Sequence, residues 1–569
     1  MLRNEGHACV KREMVDFGIY YDADAYSFKK KLMGRQSAGI AFMRAVANAA
    51  PEKLWCYARS RSGAKECADM LRHYGAKTTG VVWIPFLQPN GLTEAGLLYR
   101  PDPLIAIQGW QRLQYANPNS YSLCGVTHTT ATDRTMGILA GMLVAPLEDW
   151  DAVICTSRTV RDSVKVLVES QSEYLRERVG ATRLSLPQFP VIPLGVHCVD
   201  FIFSEDQRQL ARQTLGITPE ETVVLFMGRL SFHGKAHPAA MYMAAEACSS
   251  AARLVLIQAG WFANTEIESA FKHDASVLCP SVRCLYVDAR EKEPRINAWA
   301  AADVFISISD NIQETFGLTP IEAMAAGLPV IVSDWDGYRD TVRHGTDGFR
   351  IPTLSMPPGS GSGLADGYDL GIYNYDYYCG YNSQLVAVDI HDLISALRTL
   401  VCEPSIRRAM GHAGRKRARE EFDWTVVFNR YQALWKDLAE RRHSHAALGT
   451  QLSRRRRPDR PDPFTLFASY PSVHIGPQTE FQKLPGITVD AAVSRRELYT
   501  TKFATLVLPD PELIGDLMKQ IADDTWTEFR DLAHVQSGHS KASIARALVW
   551  LTKMGVFRFR KQLEPERKH

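Results

Sequence analysis

Two acidic residues stand eight positions apart in the segment ETFGLTPIEAMAAGLPV, which begins at Glu314. A pair of carboxylates can act as general acid and general base, so Glu314 and Glu322 are the first candidates for chemistry. Between them, Pro320 suits the first position of a helix, and Thr319 as its N-cap would form a capping box with Glu322. The pattern therefore predicts that Glu314 lies in the loop before the helix and that Glu322 lies in its first turn.

Two basic residues form a second candidate group in the segment MGRLSFHGK. Arg229 directly follows a strand-like apolar run, TVVLFMG, and Lys235 comes six residues later. Open α/β sheets bind their ligands at the carboxyl ends of parallel strands. The free N–H groups of a helix N-terminus favour an anion, and together with two cations they would suit a diphosphate.

Two further segments carry weaker signals. In LMGRQSAGIAFMRAVAN, Gly34 and Gly39 precede an amphipathic pattern, and glycine there would let a substrate approach the backbone closely. In LCGVTHTTAT, His128 follows an apolar stretch and stands among threonines. We expect His128 at the end of a strand, facing a cleft.

The elements that must position these residues are short apolar runs alternating with helical patterns. Runs such as DAVICTS, TVVLFMG, ARLVLIQAG, ADVFISIS and LPVIVSD are continuously apolar. Continuous runs are typical of parallel strands that are covered on both faces. Strand–helix alternation over about 400 residues then predicts an α/β fold with two Rossmann-like, doubly wound domains.

The domain boundaries follow from changes in composition. We expect a first Rossmann-like domain over residues 1–200 and a second over 201–445, which includes an insertion at 355–383 and a closing helix. An Arg/Pro-rich linker is expected at 446–463. Residues 464–569 read as a helix, a short helix, a turn, a longer helix capped by Ser540 and then a strand pair, an order that resembles a winged helix.

The overall composition is that of a globular protein, with 46% hydrophobic and 23% charged residues. A formal net charge of +3 over 569 residues argues neither for nor against an anionic partner. The eleven cysteines form no CxxC and no zinc-like cluster, so we interpret them as reduced thiols of a cytoplasmic protein. The N-terminus lacks the apolar region of a signal peptide, and no apolar run is long enough to span a membrane.

Taken in order, these motifs resemble a known family. They resemble the family 4 retaining glycosyltransferases of the GT-B fold. The matching motifs are Glu314 and Glu322 in E-x7-E spacing, Arg229 and Lys235 in GRL…K, the turn-rich VIPLGVHCVDF and the closing FDW with its helix. The resemblance covers roughly residues 30–440. It implies two Rossmann-like domains that face each other across a cleft, with a nucleotide-diphosphate sugar held mainly by the second.

The resemblance also implies roles for single residues. Arg229 and Lys235 would bind the donor diphosphate and stabilise the leaving nucleoside diphosphate. Glu314 would contact the sugar or the reacting face, Glu322 would bind the ribose hydroxyls, and His128 would lie beside the sugar. The remaining contacts would come from the backbone of four residues: Gly39, Phe316, Gly317 and Leu318.

The reaction implied is transfer of a hexose to a hydroxyl of a saccharide, lipid-linked or protein acceptor, with retention at the anomeric carbon. No metal and no other cofactor is expected. The segment DAD at Asp22–Asp24 resembles the metal-binding DxD of another glycosyltransferase fold, but its surroundings match GT-B. The paired-glycine loop typical of the family reads GRQSAG here, which leaves the phosphate-contacting residue of that loop open.

Other interpretations stay open from the sequence. A GT-B epimerase of sugar nucleotides or a phosphorylase would use the same motifs. A DNA-binding or scaffold protein with a degenerate core would use the basic residues around 541–561, although we expect dimerisation or a protein partner for the C-terminal domain more than nucleic acid. The arginines Arg454–Arg457 are either a solvated linker or a contact to anionic lipids at the inner face of the membrane.

Overall fold

The computed structural model describes residues 14–26, 34–445, 456–535 and 538–561. Two compact units make up the chain, residues Met1–Pro458 and Asp459–His569. The first unit contains two parallel six-stranded sheets, which confirms the predicted α/β fold with two Rossmann-like halves. In the part of the chain that the structure describes, no helix has the length and apolar character needed to cross a membrane.

The first sheet has the strand order β3-β2-β1-β4-β5-β6, with every neighbouring pair parallel. Its strands are β1 Gly18–Tyr21, β2 Lys53–Ala58, β3 Gly80–Pro85, β4 Leu97–Tyr99, β5 Ser122–Val126 and β6 Ala152–Ile154. The strand order reverses between β1 and β4. In a doubly wound sheet, this reversal opens a crevice at the carboxyl ends of the strands.

Seven helices follow the strands of the first sheet in the described part of the chain. They are α1 Ala23–Tyr26, α2 Gly34–Ala49, α3 Arg61–His73, α4 Leu92–Ala95, α5 Ile105–Tyr115, α6 Asp133–Ala140 and α7 Arg158–Val179. The longest, α7, begins where the Ser157 hydroxyl accepts a hydrogen bond from the N–H of Val160, and it ends at Gly180 in the left-handed conformation. Both are standard signals for the start and the end of a helix.

The second sheet has the order β12-β11-β10-β7-β8-β9, again entirely parallel. Its strands are β7 Thr222–Met227, β8 Leu254–Gly260, β9 Arg283–Asp288, β10 Val304–Ser307, β11 Val330–Ser333 and β12 Gly348–Ile351. Counted from β7, this is the same order as in the first sheet. The reversal lies between β7 and β10, so the loops that follow these two strands border one crevice.

The second half contains a further set of helices. They are α8 Glu205–Thr214, α9 Ala239–Cys248, α10 Thr265–Leu278, α11 Lys292–Ala301, α12 Leu318–Ala326, α13 Tyr338–Thr341, α16 Ile390–Cys402, α17 Pro404–Arg417 and α18 Trp424–Ser444. The insertion adds β13 Thr353–Ser355, α14 Ser362–Asp369, α15 Tyr375–Ser383 and β14 Val386–Val388. Strands β13 and β14 pair antiparallel and close the base of this segment.

The closing helix α18 corrects one predicted boundary. We expected it within the second domain, but its apolar side chains belong to the core of the first sheet. There Phe428, Tyr431 and Trp435 are buried beside Phe17 and Tyr99. The amphipathic pattern of α18 marks which of its faces is buried, but it does not tell which of two similar cores receives that face.

The second unit has a separate core and a three-stranded antiparallel sheet in the order β16-β15-β17. Its elements are α19 Pro463–Leu466, β15 Thr479–Lys483, α20 Val489–Ser494, α21 Pro511–Gln520, β16 Thr527–Glu528, α22 Phe529–Val535, α23 Lys541–Lys553 and β17 Phe557–Lys561. Ser540 caps α23, as expected. Strand β17 pairs with β15, which precedes α20 to α23 in the chain. A further strand after β17 would fall on residues 562–569, outside the described residues. A winged helix therefore stays a prediction.

Candidate functional site

The candidate site lies at the carboxyl ends of β7 and β10, where the second sheet reverses its order. Arg229 and Lys235 lie in the loop after β7, and Glu314 lies in the loop between β10 and α12. The structure therefore brings these three charged residues together, although 79 residues separate Lys235 from Glu314. Parallel strands with continuous apolar faces fix the starting points of both loops.

The start of α12 differs from the predicted capping box. The helix begins at Leu318 after Gly317, which has a left-handed φ of 84°, and the Thr319 hydroxyl is buried without a hydrogen-bond partner among the described residues. Pro320 is the third residue of the helix, and Glu322 is the fifth. The predicted N-cap at Thr319 and the place of Glu322 in the first turn are therefore wrong.

The physical reason is the environment of Gly317. A Cβ atom at this position would lie 2.0 Å from the ring of Tyr338, so only glycine fits. Glycine also adopts the left-handed backbone at no steric cost. This backbone turns the chain into the helix two residues earlier than the Thr-x-x-Glu pattern indicates.

Glu314 and Lys235 form a mostly buried ion pair. Their side chains are 11% and 20% exposed, respectively, and the Lys235 ammonium donates to Oε2 of Glu314. The Tyr338 hydroxyl donates to the same oxygen over 3.4 Å. Burial alone would raise the pKa of Glu314, but Lys235 and the N–H groups of Thr315 and Phe316 hold this pKa below its usual value. Glu314 is therefore an ionised carboxylate, and the backbone N–H of Phe316 donates a hydrogen bond to it.

Arg229 is held at one corner of its guanidinium group. Its Nη2 donates to the carbonyl oxygen of Gly234 over 2.9 Å and to Oε1 of Gln313 over 3.1 Å. Its other N–H groups bond to none of the residues that the structure describes. The planar fork is thus fixed in orientation while keeping donors for an oxyanion, which is the arrangement that suits a phosphate.

Glu322 lies partly buried near the same lysine. Burial raises its pKa to about 7, against the opposing charges of Arg295 and Lys235. Within the described residues, its carboxyl group accepts no hydrogen bond. A partly buried carboxyl without a donor has unused hydrogen-bonding capacity, which the hydroxyl groups of a ligand can satisfy.

His128 lies in the loop after β5 of the first sheet, at a strand end as predicted. Its Nε2 lies 2.9 Å from the carbonyl oxygen of Pro101. Because a carbonyl oxygen only accepts, Nε2 carries the hydrogen and donates it. This bond fixes the orientation of the ring.

The loops of the two halves meet at the carboxyl ends of their strands. After β6, the Thr156 hydroxyl donates to the carbonyl oxygen of Thr315 over 3.5 Å, one residue from Glu314. At the start of α7, both the N–H and the Nε of Arg158 donate to the carboxylate of Asp340, each over 2.6 Å. The first half therefore borders the site that the second half carries.

Asp336 is a site residue that the sequence reasoning missed. It has a left-handed φ of 38°, and its carboxyl group accepts a hydrogen bond of 3.2 Å from the Ser157 hydroxyl of the first half. Burial, and then the neighbouring Glu314 carboxylate, raise the pKa of Asp336 to about 7. The only signal in the sequence is its position shortly after β11, the strand beside β10.

The placement of Gly39 is corrected by the structure. Helix α2 already begins at Gly34, so Gly39 lies inside the helix instead of preceding it. Gly39 is buried, and a Cβ there would lie 2.4 Å from the carbonyl oxygen of Ala25. The glycine is required because α1 and α2 approach each other closely, and no open backbone is left at Gly39 for a ligand.

The acidic pair Asp22 and Asp24 follows β1. The N–H of Asp24 donates to Oδ1 of Asp22 over 3.2 Å, a local turn contact. Across the described residues, no group of three or more His, Cys, Asp or Glu side chains is arranged to hold a metal ion.

Two parallel sheets of identical strand order, with the loops at their carboxyl ends in contact, define the GT-B fold of two Rossmann-like domains. Within it, the model of the glycosyl transferases group 1 family matches residues 207–356. The matched range contains Arg229, Lys235, Glu314 and Glu322.

Among curated proteins, the chain is 27% identical over 226 residues to D-inositol 3-phosphate glycosyltransferase of Nocardia farcinica, covering 38% of this chain and 49% of that protein. It is 30% identical over 231 residues to alpha-monoglucosyldiacylglycerol synthase of Streptococcus pneumoniae, covering 36% of this chain and 44% of that protein. Both matches thus span less than half of the relative.

Solved structures with a similar course of the chain include Anabaena Alr3699/HepE in complex with UDP and glucose. That comparison gives 16% identity and a TM-score of 0.47, and it covers 74% of this chain and 100% of the other. For sucrose-phosphate synthase from Thermosynechococcus elongatus, the identity is 19% and the TM-score is 0.46, with coverage of 74% and 98%.

Proposed function

We propose that the protein is a retaining glycosyltransferase that moves a hexose from a nucleotide-diphosphate sugar to a hydroxyl group of an acceptor. The observation that carries the proposal is the group formed by Arg229, Lys235 and Glu314 at the reversal point of the second sheet. Two cations at the carboxyl ends of parallel strands, next to the start of a helix, suit the diphosphate of such a donor.

The phosphate contacts would act mainly on the leaving group. As the bond between the anomeric carbon and the diphosphate oxygen breaks, negative charge develops on that oxygen. Arg229 has N–H donors available for this oxygen. The ammonium group of Lys235 has three N–H donors, so it can donate to Glu314 and to this oxygen at the same time. Fixed donors aimed at developing charge stabilise a transition state.

The acceptor hydroxyl would attack the anomeric carbon from the face that the diphosphate leaves. Its oxygen forms the new bond to the anomeric carbon, its proton passes to the departing phosphate oxygen, and the electron pair of the broken bond leaves with the diphosphate. The anomeric configuration is retained. In this scheme Glu314 and His128 flank the sugar, and Glu322 binds the ribose hydroxyls. The scheme requires no metal ion.

The relatives support a hydroxyl acceptor but leave its class open. One is named for D-inositol 3-phosphate and the other for a glucosyldiacylglycerol, a small polar compound and a lipid. We therefore retain saccharide, lipid-linked and protein acceptors. We also retain a cytoplasmic location, with peripheral contact to the inner face of the membrane as an extension of the proposal. Of the arginines named for that contact, Arg454 and Arg455 lie outside the described residues.

A thermal-shift screen of nucleotide sugars tests donor binding directly. A ligand at 100 times its dissociation constant stabilises a protein by about 2.7 kcal/mol, which is readily detected. Transfer or donor hydrolysis should then fall in both Glu314→Gln and Lys235→Ala. Unchanged turnover in both variants would refute the site assignment.

Product analysis separates the rival enzyme classes. An epimerase would release a changed sugar nucleotide, and a phosphorylase would require inorganic phosphate. Two of the cations that the DNA-binding alternative would use are engaged in contacts within the protein. Arg560 pairs with Glu480, and Arg558 donates to Gln482. Both guanidinium groups also lie over the ring of Trp526. Binding of duplex DNA by the full chain, without nucleotide-sugar binding, would favour that alternative.

A further inference from the structure

The insertion forms a helical hairpin, α14 and α15, with its own internal packing. The rings of Tyr368 and Tyr378 stack at 4.3 Å between centroids and 7° between planes, which joins the two helices. A Cβ at Gly367 would lie 2.1 Å from the ring of Tyr373, so the turn between the helices packs tightly as well. The hairpin is thus a built element of the fold.

This hairpin contacts both halves of the GT-B unit. On the side of the first half, the Tyr375 and Thr129 hydroxyl oxygens lie 3.3 Å apart, and the Tyr368 hydroxyl accepts from the N–H of Asp133 over 3.0 Å. On the side of the second half, a Cβ at Gly380 would lie 3.1 Å from Cβ of His233, so α15 packs directly on the loop between Arg229 and Lys235.

Tyr375 therefore lies between the proposed phosphate contacts and the proposed sugar contact. Thr129 is the neighbour of His128 in the chain. On the other side, burial raises the pKa of Tyr375 and of Cys379, and the positive charge of Arg229 opposes this rise in both. A group bound beside the diphosphate and against His128 would meet the Tyr375 hydroxyl.

The two hydroxyls have hydrogen-bonding capacity left. The Thr129 oxygen already accepts from the N–H of Ala131 over 3.3 Å. Tyr375 and Thr129 share one hydrogen bond, which uses one of their two hydroxyl hydrogens, and either residue can be its donor. Tyr375 also forms a hydrogen bond with Cys379, so the capacity left for a ligand lies in the free lone pairs of the two hydroxyl oxygens. A sugar hydroxyl that donates its hydrogen matches these lone pairs.

We propose that the α14–α15 hairpin is a wall of the transfer site and that Tyr375, supported by Thr129, binds one hydroxyl group of the transferred sugar. Tyr375 is then a residue that determines which sugar the protein accepts. This inference rests on the proposed function. It adds a contact from the 355–383 insertion, for which the sequence indicated no role.

The test compares Tyr375→Phe with the loss of single hydroxyl groups from the donor. Hydrolysis of UDP-glucose, UDP-galactose, UDP-N-acetylglucosamine and GDP-mannose is measured first, followed by the monodeoxy analogues of the donor that is used fastest. Tyr375→Phe should lower kcat/KM for that donor by about tenfold, the effect of one lost hydrogen bond. For one deoxy analogue, the variant and the wild type should have equal kcat/KM, because that analogue lacks the hydroxyl group that would bond to Tyr375.

Tyr377→Phe is the matched control, since Tyr377 lies on the same helix with its side chain 58% exposed. It should leave kcat/KM unchanged for every donor. If Tyr375→Phe folds poorly, Thr129→Val removes the partner hydroxyl and should reduce discrimination at the same sugar position. An equal loss for all analogues, or no loss, would overturn the inference. If the wild type neither binds nor hydrolyses any of the four donors, it is the proposed function that fails.

Discussion

The ammonium of Lys235 lies against the carboxylate of Glu314, and both side chains are mostly buried. Glu314 therefore neutralises one of the two cations that would bind a diphosphate. An ion pair that loses one partner leaves an uncompensated buried charge, which is costly. Ligand binding and the charge of Glu314 are consequently coupled through one lysine.

We expect Lys235→Ala to weaken the binding of nucleoside diphosphates. A hydrogen bond to a charged group contributes about 1.5–3 kcal/mol, which corresponds to a loss of about 10- to 150-fold in affinity. Isothermal titration calorimetry with UDP and GDP measures it. Lys272→Ala is the control, since Lys272 pairs with Glu268 on the exposed surface of α10. Equal affinities of Lys235→Ala and wild type would contradict the assignment.

Glu314→Gln should separate turnover from nucleotide affinity. The amide keeps the shape of the side chain but removes the charge beside the sugar, so we expect kcat to fall by about 10²-fold or more. The affinity for UDP should stay the same or rise, because Lys235 no longer has a competing carboxylate. Steady-state kinetics and calorimetry on one preparation give both values. A parallel loss of affinity and kcat would show that Glu314 acts in binding.

Glu322 predicts a pH dependence of donor binding. Burial raises its pKa to about 7, and ribose hydroxyls donate best to the ionised form. Affinity for the donor should therefore rise several-fold from pH 6 to pH 8. The variant Glu322→Gln should bind more weakly and show a smaller rise, since Asp336 of the same site still titrates with a pKa of about 7. Asp310→Asn is a matched control, because burial also raises the pKa of Asp310 to about 7 while its carboxyl accepts from the N–H of His237. That variant should keep the wild-type rise.

The raised pKa of Glu322 also predicts how the stability of the folded protein changes with pH. Between its usual pKa of 4.5 and about 7, Glu322 binds a proton in the folded state but not in the unfolded state. Its contribution to stability is therefore complete below about pH 4.5 and is lost as pH rises through 7. In Glu322→Gln, the melting temperature should fall less over that interval. A steeper fall in the variant would contradict the assignment of this proton to Glu322.

Gly317→Ala should destabilise the protein and impair donor binding. A left-handed non-glycine residue costs about 1–2 kcal/mol, and forcing a Cβ against the Tyr338 ring adds about 1–3 kcal/mol. Gly371→Ala separates the two effects, since Gly371 has a φ of 69° and open space around its Cβ position. Thermal unfolding should show a clearly larger loss for Gly317→Ala. Equal losses would mean that the loop yields to the added methyl group.

The parallel strands could be predicted because burial on both faces requires a continuous apolar run, and this holds for the segments that became β7, β8, β10 and β11. That Lys235 and Glu314 each lie in a loop after a strand was predicted, but their ion pair was not, because it depends on β7 and β10 being neighbours in the sheet. The start of α12 could not be predicted either, because it depends on contact between Gly317 and Tyr338, 21 residues further along. The Thr-x-x-Glu pattern is local and contains no information about that contact.

Long-range packing explains the other differences. Gly39 is a helix-packing residue because Ala25 lies against it, and a glycine in the sequence looks the same in either role. The contact of Tyr375 with Thr129 joins residues 246 positions apart. Asp336 depends equally on a partner, Ser157, from the other half of the fold. None of these partners could be assigned from one sequence by spacing alone.

The position of helix α18 bears on the order in which the chain can fold during synthesis. The core of the first half includes residues from Trp424 to Leu438, so it stays incomplete until the ribosome has also produced the whole second half. Domains of most multidomain proteins fold one after another as they emerge. Here the second half, which carries the proposed phosphate contacts, can close its sheet first, and the N-terminal half is completed last.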